Sequence, residues 1–212
     1  MKLVILLLLI SVYCCTLVVA ASAAPQLRST KPAPEKFQVQ FITTIDPSLP
    51  ITLNVTRAWS PHGVDRFYEL LQQDVKYYDG NTFFRVVPRF VVQFGINGDP
   101  AVSAQWVNEN ILDDAVVASN VRGTVAFAMS SEPNSRTTQL YVNYGDNSRL
   151  DGMGFAPFAV ISEADMKLLD RVYSGYGERP DQEMIYERGD EYLKSQFPKL
   201  DRILRANIIV KP

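Results

Sequence analysis

Residues 81–100 read NTFFRVVPRFVVQFGINGDP, and this stretch decides the fold. Two short apolar runs are separated by Pro88 and Arg89, which is typical of two neighbouring β-strands joined by a turn. Arg85 lies within the first run and Gln93 within the second. Because burying an unpaired arginine is costly, these two side chains either satisfy each other in the core or face a pocket that uses them.

The alternation of side chains along a strand separates the two polar residues from the core. If the apolar partners fill the interior, Arg85 and Gln93 point outward and line a groove on the outer surface. The predicted interior residues are Phe84, Val86, Val92 and Phe94. The outer groove is therefore the first candidate for a functional site.

The rest of the chain predicts a mainly β domain. Further short runs typical of strands are FQVQFIT (37–43), ITLNVT (51–56), GTVAFAM (123–129), QLYVNY (139–144), FAPFAVI (155–161) and ANIIV (206–210). Many short strands of this kind favour a closed antiparallel barrel, because closure removes the exposed edges of the sheet.

Three helices accompany these strands. The first begins after Ser60, which can cap it, and has Pro61 in its first turn. Its predicted buried face consists of Val64, Phe67, Leu70 and Leu71. Apolar residues at helical spacing predict a second helix from Glu163 to about Tyr173. A mostly polar segment from Asp181 to about Phe197 predicts a third, peripheral helix.

The first 23 residues have the pattern of a secretory signal peptide. An apolar run from Leu3 to about Ala20 follows one lysine, and small residues at 21–23 form an A-x-A cleavage site. The alternative is an uncleaved membrane anchor, because the run approaches the roughly 18 residues that span a bilayer. Residues 24–35 contain three prolines and predict a flexible leader, so the domain should span residues 36–212. We expect a secreted or ER-luminal protein.

Composition excludes several kinds of chemistry. Cys14 and Cys15 both fall in the predicted signal peptide, and the only histidine is His62. Zinc sites and Ser-His or Cys-His nucleophiles therefore lack their usual residues. The net charge of −2, without a long basic run, argues against a nucleic-acid partner. We expect no metal and no cofactor.

Three weaker patterns have ordinary explanations. Asn54 begins an N-x-T acceptor triplet for glycosylation, but the triplet falls in a predicted strand, so its use stays open. The segment 145–152, GDNSRLDG, is a poor calcium loop because Leu150 stands where an oxygen ligand is needed. Asp113 and Asp114 could serve acid-base chemistry, but adjacent carboxylates on a polar loop are more often solvated.

Four blocks of the chain resemble one protein family. In their order and spacing, YDGNTFFRVVPRFVVQFGINGDP (78–100), GTVAFAM (123–129), EPNSRTTQLYV (132–142) and LDGMGFAPFAVI (150–161) are similar to the cyclophilin-type peptidyl-prolyl cis-trans isomerases. The resemblance covers residues 36–209. It implies a closed antiparallel cyclophilin-like β-barrel with two capping α-helices, to which the helix after Asp181 is an extra C-terminal addition.

The resemblance gives Arg85 a chemical role. In this family the arginine of the F-x-R-V-x-P stretch binds the proline region of the substrate and favours pyramidalisation of the prolyl nitrogen. An X-Pro bond prefers trans by only about 0.5–1 kcal/mol, but a barrier of roughly 18–20 kcal/mol separates the isomers. Lowering it needs a well-held donor and no nucleophile. Arg85 is thus the expected catalytic residue, and proline-containing polypeptides are the expected partners of a monomeric protein.

The same resemblance implies the substrate-binding residues. They are Phe90, Val91 and Tyr141 around the proline ring, Gln93 beside Arg85, Ala128, Met129 and Gln139 along the peptide groove, and Leu150 at the pocket floor. The apolar members of this set would also suit the core of any barrel. The pair Arg85 and Gln93 discriminates best, because two polar side chains in adjacent apolar strands usually form a network.

The chain departs from the family pattern at several positions. Val91, Met129 and Leu140 stand where the best-known members have Met, Asn and Phe, Gly154 or Phe155 replaces a pocket histidine, and Arg149 replaces a drug-contacting tryptophan. These changes argue against tight cyclosporin binding. The main prediction is an isomerase that assists protein folding in the secretory pathway. The alternative is a module that binds proline-containing segments with little turnover.

Overall fold

The fold comes from a computed structural model that describes residues 32–74 and 76–209. Within them, eight strands form one sheet: β1 (Lys36–Thr43), β2 (Ile51–Thr56), β3 (Arg85–Val87), β4 (Val91–Phe94), β5 (Thr124–Phe127), β6 (Leu140–Asn143), β7 (Pro157–Ile161) and β8 (Ile203–Ile209). Their order is β3-β4-β6-β5-β7-β2-β1-β8, and neighbouring strands pair antiparallel. The predicted mainly β domain and its eight strands are confirmed.

The two edges of the curled sheet, β3 and β8, do not pair strand to strand within the described residues. The irregular segment before β3 makes the connection instead. The backbone N–H of Phe83 donates to the carbonyl of Asp201 (3.0 Å), and Thr82 forms an isolated bridge with Arg202. The closed barrel is therefore not confirmed: the run FFRVV becomes a strand only from Arg85 onward, too late to build a closing ladder.

Because β3 begins only at Arg85, Phe83 and Phe84 do not lie on the sides of the sheet that strand alternation predicts. Phe83, not the predicted Phe84, lies in the interior, with its ring centroid 5.4 Å from that of Phe94. Phe84 packs in an outer cluster that includes Ile185. Strand alternation does not apply to either residue, because both precede the strand. The other predicted interior residues, Val86, Val92 and Phe94, are in the interior.

Four α-helices are present in the described residues: α1 (Pro61–Gln72), α2 (Pro100–Ala104), α3 (Glu163–Leu169) and α4 (Gln182–Gln196). The predicted apolar face of α1 is buried. Its cap differs from the prediction, because Ser60 donates its hydroxyl to Asp114 (2.6 Å) instead of accepting a backbone bond. The Asp114 carboxylate accepts the N–H groups of His62 (3.1 Å) and Gly63 (2.9 Å) and so caps the helix.

Asp113 and Asp114 are not simply solvated, as predicted, because both carboxylates also have partners within the protein. Asp114 binds the first turn of α1, and the carboxylate of Asp113 pairs with Arg136, whose side chain is buried. Both partners lie far from the aspartates in sequence, so the local polarity of the loop gave no indication of them.

Helix α4 is the predicted extra C-terminal helix, but it is not peripheral. Ile185 and Leu193 are buried in the outer cluster with Phe84. The helix is interrupted at Gly189, which has φ 52° and ψ −130°. There the N–H of Asp190 donates to the carbonyl of Gly98 (2.8 Å). This anchor holds α4 against the loop that connects β4 and α2.

The packed domain extends to residues that the sequence assigned to the leader. Ala33 is buried, and its N–H donates to Asp65 (2.8 Å). The predicted signal peptide, residues 1–23, and residues 24–31 lie outside the described residues. Within the described part of the chain, no helix has the length and apolarity required to cross a membrane.

Candidate active site

One row of side chains crosses four strands on the outer face of the sheet. Arg85 on β3 lies opposite Gln93 on β4, Gln93 lies opposite Tyr141 on β6, and Tyr141 lies opposite Ala126 on β5. Residues directly opposite each other share a face of the sheet. The outward orientation predicted for Arg85 and Gln93 is confirmed.

This row borders a pocket of about 400 Å³. All nine predicted catalytic and substrate-binding residues line it: Arg85, Phe90, Val91, Gln93, Ala128, Met129, Gln139, Tyr141 and Leu150. Ser130, Thr137, Phe155 and Gln182 complete the lining. The structure thus brings residues from β3, β4, β6, the turn at 148–153 and α4 to one place.

The floor and one wall of the pocket are apolar. Val91, Tyr141 and Leu150 are buried and pack together beneath the pocket. The ring of Phe155 packs edge-on against Tyr141, with the centroids 5.8 Å apart. An apolar pocket with a few polar groups at its rim suits a small ring attached to a polar backbone.

Tyr141 is a wall of the pocket and not an acid or base. Its hydroxyl donates to the side-chain oxygen of Asn120 (2.7 Å), and Asn120 is held in turn by the carboxylate of Asp151 (2.8 Å). Burial raises the pKa of Tyr141 well above its ordinary value, because the charged phenolate would be poorly solvated there. The phenol therefore stays neutral at physiological pH.

The guanidinium of Arg85 is held on three sides. Nη1 donates to the amide oxygen of Gln93 (3.2 Å), while Nε donates to Glu178 Oε1 (2.7 Å) and Nη2 lies 2.5 Å from that same oxygen. The ring of Phe90 lies 5.6 Å from Arg85 Cζ, and Arg149 Cζ lies 4.8 Å from the same ring. A guanidinium carries five N–H groups, so these contacts leave donors for a ligand.

A chain of amides connects Arg85 with α4. Gln93 donates its Nε2 to Gln139 Oε1 (2.7 Å), and Gln139 donates its Nε2 to Gln182 Oε1 and to the Tyr186 hydroxyl (both 3.1 Å). Each amide thus has its oxygen toward Arg85 and its nitrogen toward α4. Because a guanidinium can only donate, this is the orientation in which Gln93 can accept from it.

Sequence reasoning missed Glu178, Gln182 and Tyr186. They come from the end of YSGYGERPDQ (173–182) and the start of α4, the helix that was predicted to be peripheral. The available signal was weak: a carboxylate within a segment rich in turn residues, followed by a helix with few apolar residues. Nothing local indicates that the segment folds back onto β3.

Two other predicted features lie outside the pocket. Asn54 is exposed on β2, where its side chain accepts from Gln38 Nε2 (2.6 Å) and donates to the carbonyl of Val160 (3.3 Å). In the segment 145–152, Asp146 accepts the N–H of Ser148 (3.0 Å), so this carboxylate supports its own loop.

Comparison with known proteins covers the whole region around the pocket. The family model described as cyclophilin type peptidyl-prolyl cis-trans isomerase/CLD matches residues 36–187. The chain belongs to this cyclophilin family. Peptidyl-prolyl cis-trans isomerase A of Dickeya dadantii is 30% identical over 138 residues, which are 62% of this chain and 69% of that protein. Peptidyl-prolyl cis-trans isomerase B of Escherichia coli is 28% identical over 121 residues, 53% of this chain and 71% of that protein.

Solved structures show the same cyclophilin fold. A cyclophilin type peptidyl-prolyl cis-trans isomerase of Cryptosporidium parvum aligns with a TM-score of 0.58 at 16% identity, over 84% of this chain and 99% of that one. A second structure of that protein, obtained in the presence of the dipeptide Ala-Pro, aligns with a TM-score of 0.57 at 17% identity, over 82% and 99% of the two chains.

Several of the positions at which the sequence was expected to depart from the family pattern can be located in the structure. Val91 and Met129 line the pocket, whereas Leu140 is buried in the interior of the sheet. Of the two residues considered for the place of the family histidine, Phe155 lines the pocket and Gly154 does not.

Proposed function

We propose that this cyclophilin catalyses cis-trans isomerisation of X-Pro bonds in polypeptides, with Arg85 as the catalytic residue. One observation carries the proposal: a guanidinium whose side chain is 25% exposed stands at the edge of an apolar pocket with N–H donors to spare. A fully paired arginine would serve the fold alone. This one is oriented by the protein and still able to bind a ligand.

The chemistry asks for a donor and a dry pocket. Rotation about the X-Pro bond breaks amide conjugation, which is the origin of the roughly 18–20 kcal/mol barrier. As conjugation is lost, charge returns to the prolyl nitrogen, and a fixed N–H donor stabilises that state more than the planar ground state. Arg85 stays protonated and is already oriented by Gln93 and Glu178.

The walls complete this arrangement. Phe90, Val91, Tyr141 and Leu150 offer apolar surface to a proline ring and exclude water, which strengthens the hydrogen bond that Arg85 donates. Ala128, Met129 and Gln139 lie along the adjoining part of the pocket and would contact the residues that precede the proline. The proposed substrates are therefore proline-containing polypeptides.

We further propose that these substrates are proteins folding in the secretory pathway, in the ER lumen or after export. The support is the apolar run and A-x-A pattern of residues 1–23. Uncatalysed prolyl isomerisation takes about 10–100 s, slow enough to limit folding. Expression in a secreting host followed by mass measurement tests the idea. A mature chain that starts near Ala24 agrees with it, and a chain that retains Met1 contradicts it.

The catalytic assignment is tested with Arg85→Ala. Loss of a preorganised donor of this kind should lower kcat/KM for an Xaa-Pro peptide by about 10²–10³-fold, as for an oxyanion-hole donor. A protease-free assay, such as exchange spectroscopy on the peptide, measures the rate directly. The matched control is Arg205→Ala, because Arg205 is exposed on β8 and the substitution changes the net charge equally.

The outcomes separate three cases. A large loss in Arg85→Ala and none in Arg205→Ala supports the proposal. Equal rates for wild type and Arg85→Ala remove Arg85 from the mechanism. Peptide binding to the wild type without any acceleration of exchange would favour the alternative, a binding module for proline-containing segments.

A further inference from the structure

Glu178 contacts the catalytic guanidinium from outside the pocket. Arg85 and Gln93 both line the pocket, but Glu178 does not. A single oxygen of its carboxylate binds both Nε and Nη2 of Arg85, which form one edge of the guanidinium. Gln93 binds Nη1. The carboxylate therefore restrains the side chain without occupying the space where a substrate would bind.

The loop that carries Glu178 is fixed next to β3. The N–H of Val86, on the outer edge of β3, donates to the carbonyl of Gly177 (3.1 Å). Gly177 has φ 59°, a left-handed conformation that glycine adopts without strain. Tyr176, one residue earlier, packs edge-on against Tyr173 and Phe197, with centroids 5.0 and 5.1 Å apart. Glu178 thus projects from a packed loop.

A second restraint on Arg85 is indirect: it comes from α4 through two glutamines and ends at Nη1. The Tyr186 hydroxyl accepts from Gln139, and this bond anchors on α4 the amide chain that runs through Gln93 to Arg85. If the Gln139 amide were flipped, its nitrogen would face the nitrogen of Gln93. Gln93 would then have to flip as well, and its N–H donors would point at the Arg85 guanidinium, which cannot accept a hydrogen bond. Gln182 Oε1 and the Tyr186 hydroxyl both accept from Gln139 in the one orientation of the amide chain that supports Arg85, and so they anchor the α4 end of the chain.

We propose that Glu178 and Tyr186 are positioning residues for Arg85. This inference rests on the proposed function, because it concerns the direction of the donors that Arg85 offers to a prolyl peptide. Glu178 restrains one edge of the guanidinium directly, and Tyr186 restrains the other through two glutamines. The segment 177–186 thereby becomes part of the catalytic apparatus of this cyclophilin.

Glu178 also has an electrostatic effect that opposes substrate binding, but this effect should be weaker than the restraint of Arg85. A carboxylate beside Arg85 also reduces the positive potential that a substrate meets. Its side chain is 60% exposed, however, so water and salt screen that potential. Orientation is not screened, and a small misplacement of a catalytic group can cost a large factor in rate. The restraint should outweigh the loss of potential.

The test measures kcat and KM separately for the wild type and four variants. Glu178→Ala should lower kcat by about fivefold, the size expected for an exposed charged contact, and leave KM within about twofold. Glu178→Gln should keep more than half of the wild-type kcat, because its amide oxygen can still accept from Nε. Tyr186→Phe should have a smaller effect, since Gln182 still accepts from Gln139.

The fourth variant, Glu187→Gln, is the matched control. Glu187 is exposed on α4 and forms no ion pair within residues 32–74 and 76–209, so its kinetics should equal those of the wild type. Nitrogen-15 NMR of the Arg85 Nε–H group gives a second readout. The signal should be distinct in the wild type and in Glu187→Gln, and should move toward the free-arginine position and broaden in Glu178→Ala.

Two failures can be told apart. If Arg85→Ala is nearly inactive while Glu178→Ala turns over at or above the wild-type rate, the positioning role is overturned and the proposed function stands. If Arg85→Ala is as active as the wild type, the proposed function fails and the inference falls with it. Thermal melting of each variant must match the wild type within a few degrees for either conclusion.

Discussion

Arg66 and Arg85 are both held by hydrogen bonds, but in regions of opposite character. Arg66, on α1, has a side chain only 6% exposed and donates to Glu69 (3.2 Å) and to the carbonyls of Glu109 (2.5 Å) and Thr137 (3.2 Å). Arg85 is 25% exposed, is held by Glu178 and Gln93, and faces a pocket.

The difference lies in the surroundings of the two guanidinium groups. Protein acceptors surround Arg66, and its Cζ lies 5.1 Å from the ring centre of Trp106. Such an arginine stabilises the fold, because each buried donor needs its acceptor. The acceptors Glu178 and Gln93 bind only part of the Arg85 guanidinium and leave N–H donors unpaired. An arginine that is oriented but incompletely paired suits a ligand, and this distinction answers the question posed by an arginine in an apolar run.

The largest expected effect is on stability, and it would sharpen the comparison between Arg66 and Arg85. Arg66→Ala should reduce the free energy of unfolding by about 3–5 kcal/mol, because it leaves the buried carboxylate of Glu69 without its partner. Arg85→Ala should change it by less than about 1 kcal/mol, since its ion pair is exposed. Urea denaturation of both variants measures the contrast. Equal losses would mean that the two arginines have the same structural role.

The second effect concerns the attachment of α4 behind Arg85. A Cβ at Gly189 would lie 2.0 Å from the carbonyl oxygen of Gly98, and the backbone there has φ 52°. Gly189→Ala should therefore cost about 1–3 kcal/mol of stability and disturb the site through Tyr186. Gly152→Ala is the control, because a Cβ there has no neighbour within 4 Å. Thermal melting and kcat together show whether stability and turnover fall in parallel, and an unchanged kcat would separate α4 from the site.

The smallest effect is a dependence of folding stability on pH that comes from Tyr77 in the interior. Tyr77 donates its hydroxyl to the carbonyl of Gly95 (3.2 Å), and burial raises its pKa to about 12. The folded protein keeps this proton where the unfolded chain loses it, above about pH 10. The resulting stability is present below that pH and is lost as pH rises through the folded pKa.

The measurement compares the wild type with Tyr77→Phe at pH 8 and pH 11. Between these values the wild type should lose stability faster than the variant, by up to about 1.4 kcal/mol per pH unit above pH 10. Identical slopes would show that Tyr77 does not contribute. Arg85→Ala should follow the wild-type slope, because that residue lies outside the interior.

Local patterns predicted much of this protein. Alternation placed Arg85 and Gln93 on the outer face correctly, because both lie within regular strands. It failed at Phe83 and Phe84, which precede β3 and take their orientation from bonds to the segment before β8. The nine pocket residues came from a family resemblance, and the pocket that the structure forms includes all of them.

The hydrogen-bond partners supplied by distant parts of the chain could not be predicted from local patterns. The cap of α1 is supplied by Asp114 and the anchor of Arg85 by Glu178, and each lies dozens of residues from the group it binds. A carboxylate on a polar loop has the same local sequence whether it is solvated or paired. Only the folded chain distinguishes the two cases.

The sequence by itself determined the strands, the buried face of α1 and the side of the sheet on which Arg85 lies, because these depend on periodicity between near neighbours. The tertiary structure decided that the segment before β3, and not β3 itself, connects to β8, that α4 packs against the site, and that Arg85 keeps donors for a ligand. Each of these depends on hydrogen bonds between distant segments, and their geometry exists only after the chain has folded.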